Sequence, residues 1–252
     1  MLYLISLGLN DEKDITLREL EIVKKCDLIY LETYTSVLNC SVKDLENLFK
    51  KKIIIANREL VENKNDIIEN SKKNDVAFLV PGDIFSATTH IDLFLRAKKE
   101  KVKVKVLHNA SILTAVGETG LMLYNFGKTT SIPFLEGNWL TETPYNVLKD
   151  NLKNNLHTLL LLDLRPDKNK FLTINNAIKF LLDLEKKKKE NIFTENTFCI
   201  GCSALGSDRS KIRVGSAKKL LKTKFKNFPQ CLIVPGKLHF MEQEMLDNIN
   251  TN

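Results

Sequence analysis

Within seven residues, Asp83, Ser86, Thr88 and Thr89 supply one carboxylate and three hydroxyl groups. Side chains of these types on one turn grip a small polar molecule through hydrogen bonds and a fixed negative charge. Pro81-Gly82 precedes them, a pair that cannot continue a β-ladder and turns sharply. Before it, residues 76–80 are an apolar run too short for a helix and rich in Val and Phe, which predicts a buried strand. Residues 92–99 then read as a helix with Leu93, Phe94, Leu95 and Ala97 available to its inner face. Strand, turn and helix in that order put the polar cluster at a strand's carboxyl end, where open α/β sheets bind ligands. The same residues have a plainer use, since Asp83 and Ser86 can simply cap the following helix.

Two more loops follow predicted strands in the same half: Gly8-Leu9 after residues 2–7, and Ala110-Ser111-Ile112 after residues 102–107. All three can gather along one sheet edge. Strand ends at Leu162-Asp163, 201–204 and 236–239 are the second half's share, and a cleft between two α/β domains commonly takes a small cofactor. Missing patterns exclude several chemistries. There is no G-x-x-x-x-G-K-[ST] phosphate loop and no G-x-G-x-x-G after the first strand. No G-x-S-x-G nucleophile elbow and no H-E-x-x-H metal helix occur. Neither order nor spacing of Ser, His and Asp promotes a triad, so no catalytic residue is assigned. Cys199-x-x-Cys202 has the spacing of half a zinc site but lacks a second pair or a His partner. Two small residues packed around a strand end is the reading, and no metal is expected.

The elements that must hold these loops alternate through the first half. Thr16-Leu-Arg-Glu19 is a capping-box spacing that opens a helix with Leu17, Leu20, Ile22 and Val23 on its inner face. Strand follows at 27–31, helix at 41–49 with a second box at Ser41-x-x-Asp44, strand at 52–56 and helix over most of 58–72. After strand 102–107 comes helix to about Gly120. This is the signature of a mostly parallel sheet with crossover helices. The second half reads as strand and connector at 126–133, a polar turn-rich interval at Glu136-Gly-Asn-Trp139, helix 143–155 and strand 157–164. Helix 174–188, strands 198–204 and 230–235, a basic helix 216–226 begun by Gly215, and a terminal helix from Met241 complete it. The fold class is α/β, as two α/β domains over residues 1–112 and 113–252.

Composition is that of a soluble globular protein. A chain of 252 residues buries roughly 75% of its unfolded surface and needs no staple. Hydrophobic and charged fractions of 43% and 27% are ordinary, and apolar runs such as 159–162 fall far short of the ~20 residues that span a bilayer. The amino terminus enters a strand directly rather than a cleavable leader, and five cysteines fit reduced thiols, so a cytoplasmic protein is expected. The net charge of +7 lies in lysine runs that read as solvated helix faces and help approach to an acidic ribosomal or nucleic-acid environment. No aromatic residues interleave them as a stacking surface, so nucleic acid is not expected as a direct substrate.

From the residues alone the reading stops at a two-domain α/β protein that binds a small polar ligand. Specific words carry it further: MLYLISLGLNDEKDITLRELEIVKKCDLIYLETYTS, PGDIFSATTH, HNASILTAVGETGLMLYNFGKTTSIPF, LHTLLLLDL and VPGKLHFMEQEML. Together they span nearly the whole chain, which resembles the diphthine synthase family within the tetrapyrrole methylase (class III methyltransferase) fold. The resemblance implies S-adenosyl-L-methionine bound folded between the domains and released as S-adenosyl-L-homocysteine. It implies cofactor contacts at Leu9, Asp83, Ser86, Ser111 and Ile112 in the first half, and at Leu162, Gly215 and His239 in the second. The family usually has GDP at the turn where this chain has Ile84, which removes one rigid φ and keeps Gly82 and Asp83. The implied acceptor is the modified histidine of translation elongation factor 2, methylated repeatedly on its amino group, with a carboxylate methylated as well in eukaryotic members. A homodimer is the family's expected form. A tetrapyrrole methylase on the same fold and a non-catalytic cofactor-binding scaffold for translation factors are the alternatives.

Overall fold

The structure, a computed structural model, describes residues 1–135 and 141–251. The interval at Glu136-Gly-Asn-Trp139 lies outside the described residues. The chain forms two compact units, Met1–Ala115 with Arg165–Asn169, and Val116–Leu164 with Lys170–Asn252.

The first unit is built by strict alternation: β1 (Leu2–Ser6), α1 (Leu17–Lys25), β2 (Leu28–Glu32), α2 (Val42–Phe49), β3 (Ile54–Ala56), α3 (Asp66–Lys73), β4 (Val76–Val80), α4 (Ile91–Lys99), β5 (Val104–Leu107) and α5 (Ile112–Ala115). The strands make one parallel sheet ordered β3-β2-β4-β1-β5. A parallel sheet must be covered on both faces, and β4 is buried throughout. On one face Leu4, Phe78 and Val80 pack with Ile67, Ile68 and Leu93; on the other Ile5, Ala77 and Leu79 pack with Val23, Leu45 and Phe49.

Both capping boxes form. The Thr16 amide donates to Glu19 Oε2 at 2.7 Å, and the Ser41 amide donates to Asp44 Oδ2 at 2.8 Å. Two inner-face assignments differ. Leu17 is exposed while Val23 is buried, and on α4 Leu93 and Ala97 are buried while Leu95 is exposed. Residues four apart share a helix face, and Leu95 falls opposite both. The helix expected over 58–72 is interrupted: a π-helical turn at Glu59–Asn63 precedes α3. The Arg96 guanidinium donates to the Val61 carbonyl, and at 2.9 Å to that of Lys64, diverting acceptors a continuous helix would use.

The second unit contains β6 (Thr130–Ile132), α6 (Thr143–Lys153), β7 (Thr158–Leu162), β9 (Lys170–Phe171), α7 (Ile174–Lys188), β10 (Phe198–Ser203), β11 (Lys211–Ser216), α8 (Ala217–Leu221), β12 (Gln230–Val234) and α9 (Phe240–Thr251), while β8 (Leu164–Arg165) straddles the division. Its main sheet is ordered β11-β10-β12-β7-β6. All its pairings are antiparallel except β6 with β7, so the latest strand in sequence sits at the centre. β8 and β9 form a short ribbon of their own.

Two expectations fail here. Residues 211–216 are an edge strand rather than a loop leading to a helix, and Gly215 is its fifth residue instead of a helix start. The basic helix then spans only Ala217–Leu221. Asn175 Nδ2 donates to the carbonyls of Leu220 and Leu221 at 3.3 and 2.7 Å, taking the acceptors that residues 224 and 225 would need to continue the helix. No helix among the described residues is long and apolar enough to cross a membrane.

Candidate functional site

The register Ser6↔Val80 and Ile5↔Leu107 brings β4, β1 and β5 to a common carboxyl edge, where three loops meet. The first two are tied by main-chain bonds: the Gly8 amide donates to the Gly82 carbonyl at 3.2 Å, and the Gly82 amide to the Gly8 carbonyl at 2.6 Å. Both glycines have positive φ, 77° and 79°. Around Gly8 a Cβ would lie 2.6 Å from Asp14 Cβ, whereas beside Gly82 the space is open. Asp14 occupies its place because its Oδ2 receives the Leu9 and Asn10 amides at 2.9 and 2.7 Å. A Gly8→Ala variant therefore meets both a disfavoured positive φ and a backbone-anchored side chain. It should lose about 2 kcal/mol of unfolding free energy by urea titration; a loss below a few tenths would mean this loop is not held as described.

Asp83 is the hub of the edge. Its Oδ1 receives the Phe85 amide and the Ser86 hydroxyl, both at 3.1 Å. Its Oδ2 receives the Asn109 amide at 3.3 Å and the Ser6 hydroxyl at 3.4 Å, and lies 2.8 Å from His108 Nδ1. The Ile84 amide in turn donates to Ser6 Oγ at 3.0 Å. Burial pushes the Asp83 carboxyl up, but His108, the Phe85 amide, Ser86 and the Asn109 amide outweigh it and hold the group below the usual carboxylate range. Asp83 thus caps its own turn rather than α4, and presents a fixed anion.

Asn109 closes the cluster. Its side-chain amide reaches the carbonyl of Asp14 at 3.0 Å and Glu19 Oε2 at 3.4 Å. Glu19 is buried, and its Oε1 has no hydrogen-bond partner among the described residues. Burial raises its carboxyl above the usual range. Ser111 is buried with its carbonyl receiving Thr114 Oγ1 at 2.9 Å, and Ile112 opens α5 half-buried. Leu9, Asp83, Ser86 and Ser111 are therefore on loops of one edge, with Ile112 at the start of the helix that follows.

A buried group stands behind the turn. Glu32, at the end of β2, takes the Thr35 amide at 2.6 Å and the Tyr34 amide. His90 lies 4.0 Å from it and 3.5 Å from the Tyr34 hydroxyl. Burial pushes the His90 imidazole down to about 4, the Ile84 carbonyl opposing, so it stays neutral near pH 7.

The second unit's candidates do not share one place. Leu162 ends β7 with its side chain in the core. The row Leu161↔Cys231↔Cys202↔Ile212 shows that this end of the sheet also carries Ser203 and Ala204. Gly215 pairs with Cys199 at the opposite end, and the Lys219 side chain covers its α-carbon, 2.6 Å from where a Cβ would stand. His239 belongs to that opposite end too, since the Gly236 amide before it donates to His157 Nδ1 at 3.0 Å just ahead of β7. The Leu162 end has its own polar features. Ala204 has φ 49°, the Gly206 amide donates to Glu118 Oε1 at 3.0 Å, and the buried Ser203 Oγ has no partner among the described residues.

His239 is exposed, and its amide donates to Glu242 Oε2 at 2.7 Å. Glu242 Oε1 receives the Met122 amide at 2.8 Å and faces His157 Nε2 at 3.1 Å, with both side chains buried. Burial raises the Glu242 carboxyl, but the His239 and Met122 amides and His157 outweigh it and leave the group below its usual range. Cys199 and Cys202 are buried in β10, and no group of His, Cys, Asp and Glu among the described residues is arranged to hold a metal.

Ser6, His108 and Asn109 carry no site signal of their own in the sequence and Glu19 reads only as a helix cap, yet the four build the first unit's edge. The signal was available for two of them, since His108-Asn109 directly continues β5 into the loop already chosen. Chemically, the edge offers a fixed carboxylate, a second buried carboxyl with one unused oxygen, and open space beside Gly82. Such a donor set suits a cationic small molecule better than a phosphate.

Residues 1–221 match the model of the family described as Tetrapyrrole (Corrin/Porphyrin) Methylases. The chain is 46% identical to a diphthine synthase of Methanocaldococcus jannaschii over the full length of both. It is 42% identical to a diphthine methyl ester synthase of Dictyostelium discoideum, covering 98% of this chain and 97% of that one. A crystal structure of a diphthine synthase superposes with a TM-score of 0.91 at 35% identity, covering 100% of this chain and 96% of the other.

Proposed function

The chain belongs to the tetrapyrrole (corrin/porphyrin) methylase family and, within it, to the diphthine synthases, and from that premise we propose that it methylates the modified histidine of translation elongation factor 2. It is an S-adenosylmethionine-dependent methyltransferase of diphthamide biosynthesis. The observation that carries the reading is the Asp83 carboxylate, held anionic at the carboxyl edge of a parallel sheet with open space at Gly82. S-adenosyl-L-methionine is a cation at sulfur and fits that charge; when bound it supplies an electrophilic methyl group and leaves as S-adenosyl-L-homocysteine.

The protein's own work is placement. Asp83 and the Ser86 turn hold the positive end, and Leu9, Ser111 and Ile112 give it walls and main-chain groups. A fixed anion favours the cationic cofactor over its neutral product. Holding the acceptor in line with the transferable group can supply ~7–11 kcal/mol of the barrier. Of the second unit's candidates, Leu162 and His239 lie at opposite ends of its sheet, and Gly215 is the least suited because Lys219 lies over it. The enzyme works as a homodimer in the cytoplasm, beside its protein substrate.

Incubation with methyl-labelled S-adenosylmethionine and unmethylated elongation factor 2 should label the factor and leave tetrapyrrole acceptors unlabelled. Label on a tetrapyrrole alone, or cofactor binding with no transfer to either, would sink the proposal.

A further inference from the structure

We infer that His108 is the proton acceptor for methyl transfer to nitrogen, with Asp83 as the residue that orients it. The inference rests on the proposed amine acceptor and adds to it the one chemical role that remained without a residue.

The geometry fixes the tautomer. Every other contact of the Asp83 carboxylate is a donor: the Phe85 and Asn109 amides and the Ser6 and Ser86 hydroxyls. A carboxylate so surrounded accepts from His108 Nδ1 as well, at 2.8 Å. In the neutral ring the proton therefore sits on Nδ1, and Nε2 carries the lone pair. The His108 side chain is 65% exposed while Asp83 is 8% exposed, so the ring projects from an anchored base into solvent. The Phe85 ring flanks it at 6.3 Å between centroids. The acidic groups on the elements around it are Asp83 from the β4 turn and Glu19 from α1, the latter reached through Asn109. A side chain oriented by a buried carboxylate, with its second nitrogen free of partners among the described residues, has the arrangement of a general base.

The proton balance needs such a group. In water the acceptor's amino group carries an extra proton and no free pair. His108 Nε2 takes that proton, leaving neutral nitrogen to form the new C–N bond as the C–S bond breaks onto sulfur. The resulting imidazolium returns its proton to solvent through its exposed side before the next transfer. A carboxylate acceptor already has its electron pairs and needs no such help. The residue therefore separates two kinds of acceptor on one enzyme.

His108→Asn is the decisive variant, because its Nδ2 stands close to the lost Nδ1 and can still donate to Asp83, while nothing replaces Nε2. Calorimetry with S-adenosyl-L-homocysteine should give an affinity within about twofold of the parent. Single-turnover transfer to the amine at neutral pH should fall at least 100-fold, the lower range for general-base catalysis. That deficit should shrink as pH is raised towards the point where the amine is neutral unaided. Loss of cofactor affinity in step with rate, or a deficit independent of pH, would overturn the inference in favour of a purely structural pair. If the parent protein transfers no methyl group to elongation factor 2, the proposed function fails instead, and the apo-state tautomer still tests the geometry. Nitrogen NMR should show the His108 proton on Nδ1, and a proton on Nε2 alone would overturn the inference independently of activity.

Discussion

Asp83→Ala should weaken cofactor binding by more than tenfold and destabilise the first unit by about 3 kcal/mol. The magnitude follows from what loses its partner, because hydrogen bonds to a charged acceptor contribute about 1.5–3 kcal/mol and buried donors left unmet add to that. The Phe85 and Asn109 amides, the Ser6 and Ser86 hydroxyls and His108 Nδ1 would all point at a methyl group. The sign of the pH dependence is set by the folded carboxyl lying below its usual value. Its stabilisation is complete above the unfolded carboxyl's value, roughly 3.9, and disappears as pH falls through the lower folded value. Urea titrations of parent and variant should thus differ fully at pH 7 and converge in strong acid. Calorimetry at pH 7 checks the binding half, and unchanged cofactor affinity would remove Asp83 from the site.

Glu242→Ala should cost the second unit more, about 3–5 kcal/mol, because three donors lose a carboxylate acceptor and each such bond contributes about 1.5–3 kcal/mol. Glu242 receives the Met122 and His239 amides and faces His157 Nε2. Because His157 Nδ1 accepts the Gly236 amide, Nε2 holds the ring proton and donates to Glu242. The variant strands three donors in the interior. Glu242→Gln is a severe control rather than a mild one, since its amide NH2 would face donors on every side. As with Asp83, the folded carboxyl lies below its usual range, so the stabilisation is present near neutrality and lost on acidification through the folded value. Guanidinium unfolding monitored in the second unit measures this; a loss under about 1 kcal/mol would mean the network does not hold the His239 turn.

Legibility followed locality. The buried strand β4, the Pro81-Gly82 break and both capping boxes depend on residues a few positions apart, and all are visible in the sequence. The five candidates of the first unit share an edge because a parallel sheet aligns strand ends, a rule that needs only the alternation of elements. β11 was hidden because its alternation, Ile212 and Val214 between cations, is short and runs into Gly215-Ser216, which read as a helix start. The basic run after it looked helical because lysines favour helices, yet the helix stops where Asn175, over forty residues earlier, takes the terminal carbonyls. The place of His108 after β5 is legible in the sequence, but its contact with Asp83, 25 residues away, is not. The scatter of Leu162, Gly215 and His239 over both ends of the second sheet arises from antiparallel pairing, which sends successive strand ends to opposite sides.

The position of β12 at the middle of the second sheet has a consequence for synthesis on the ribosome. The first sheet has all its strands once residue 107 has emerged, and that unit can collapse while translation continues. The second sheet cannot close so early. Until residues 230–234 appear, β10 with β11 and β7 with β6 are separate pairs, each with an unzipped inner edge open to stray partners. A pause late in translation would therefore lengthen the interval in which the nascent chain depends on chaperones.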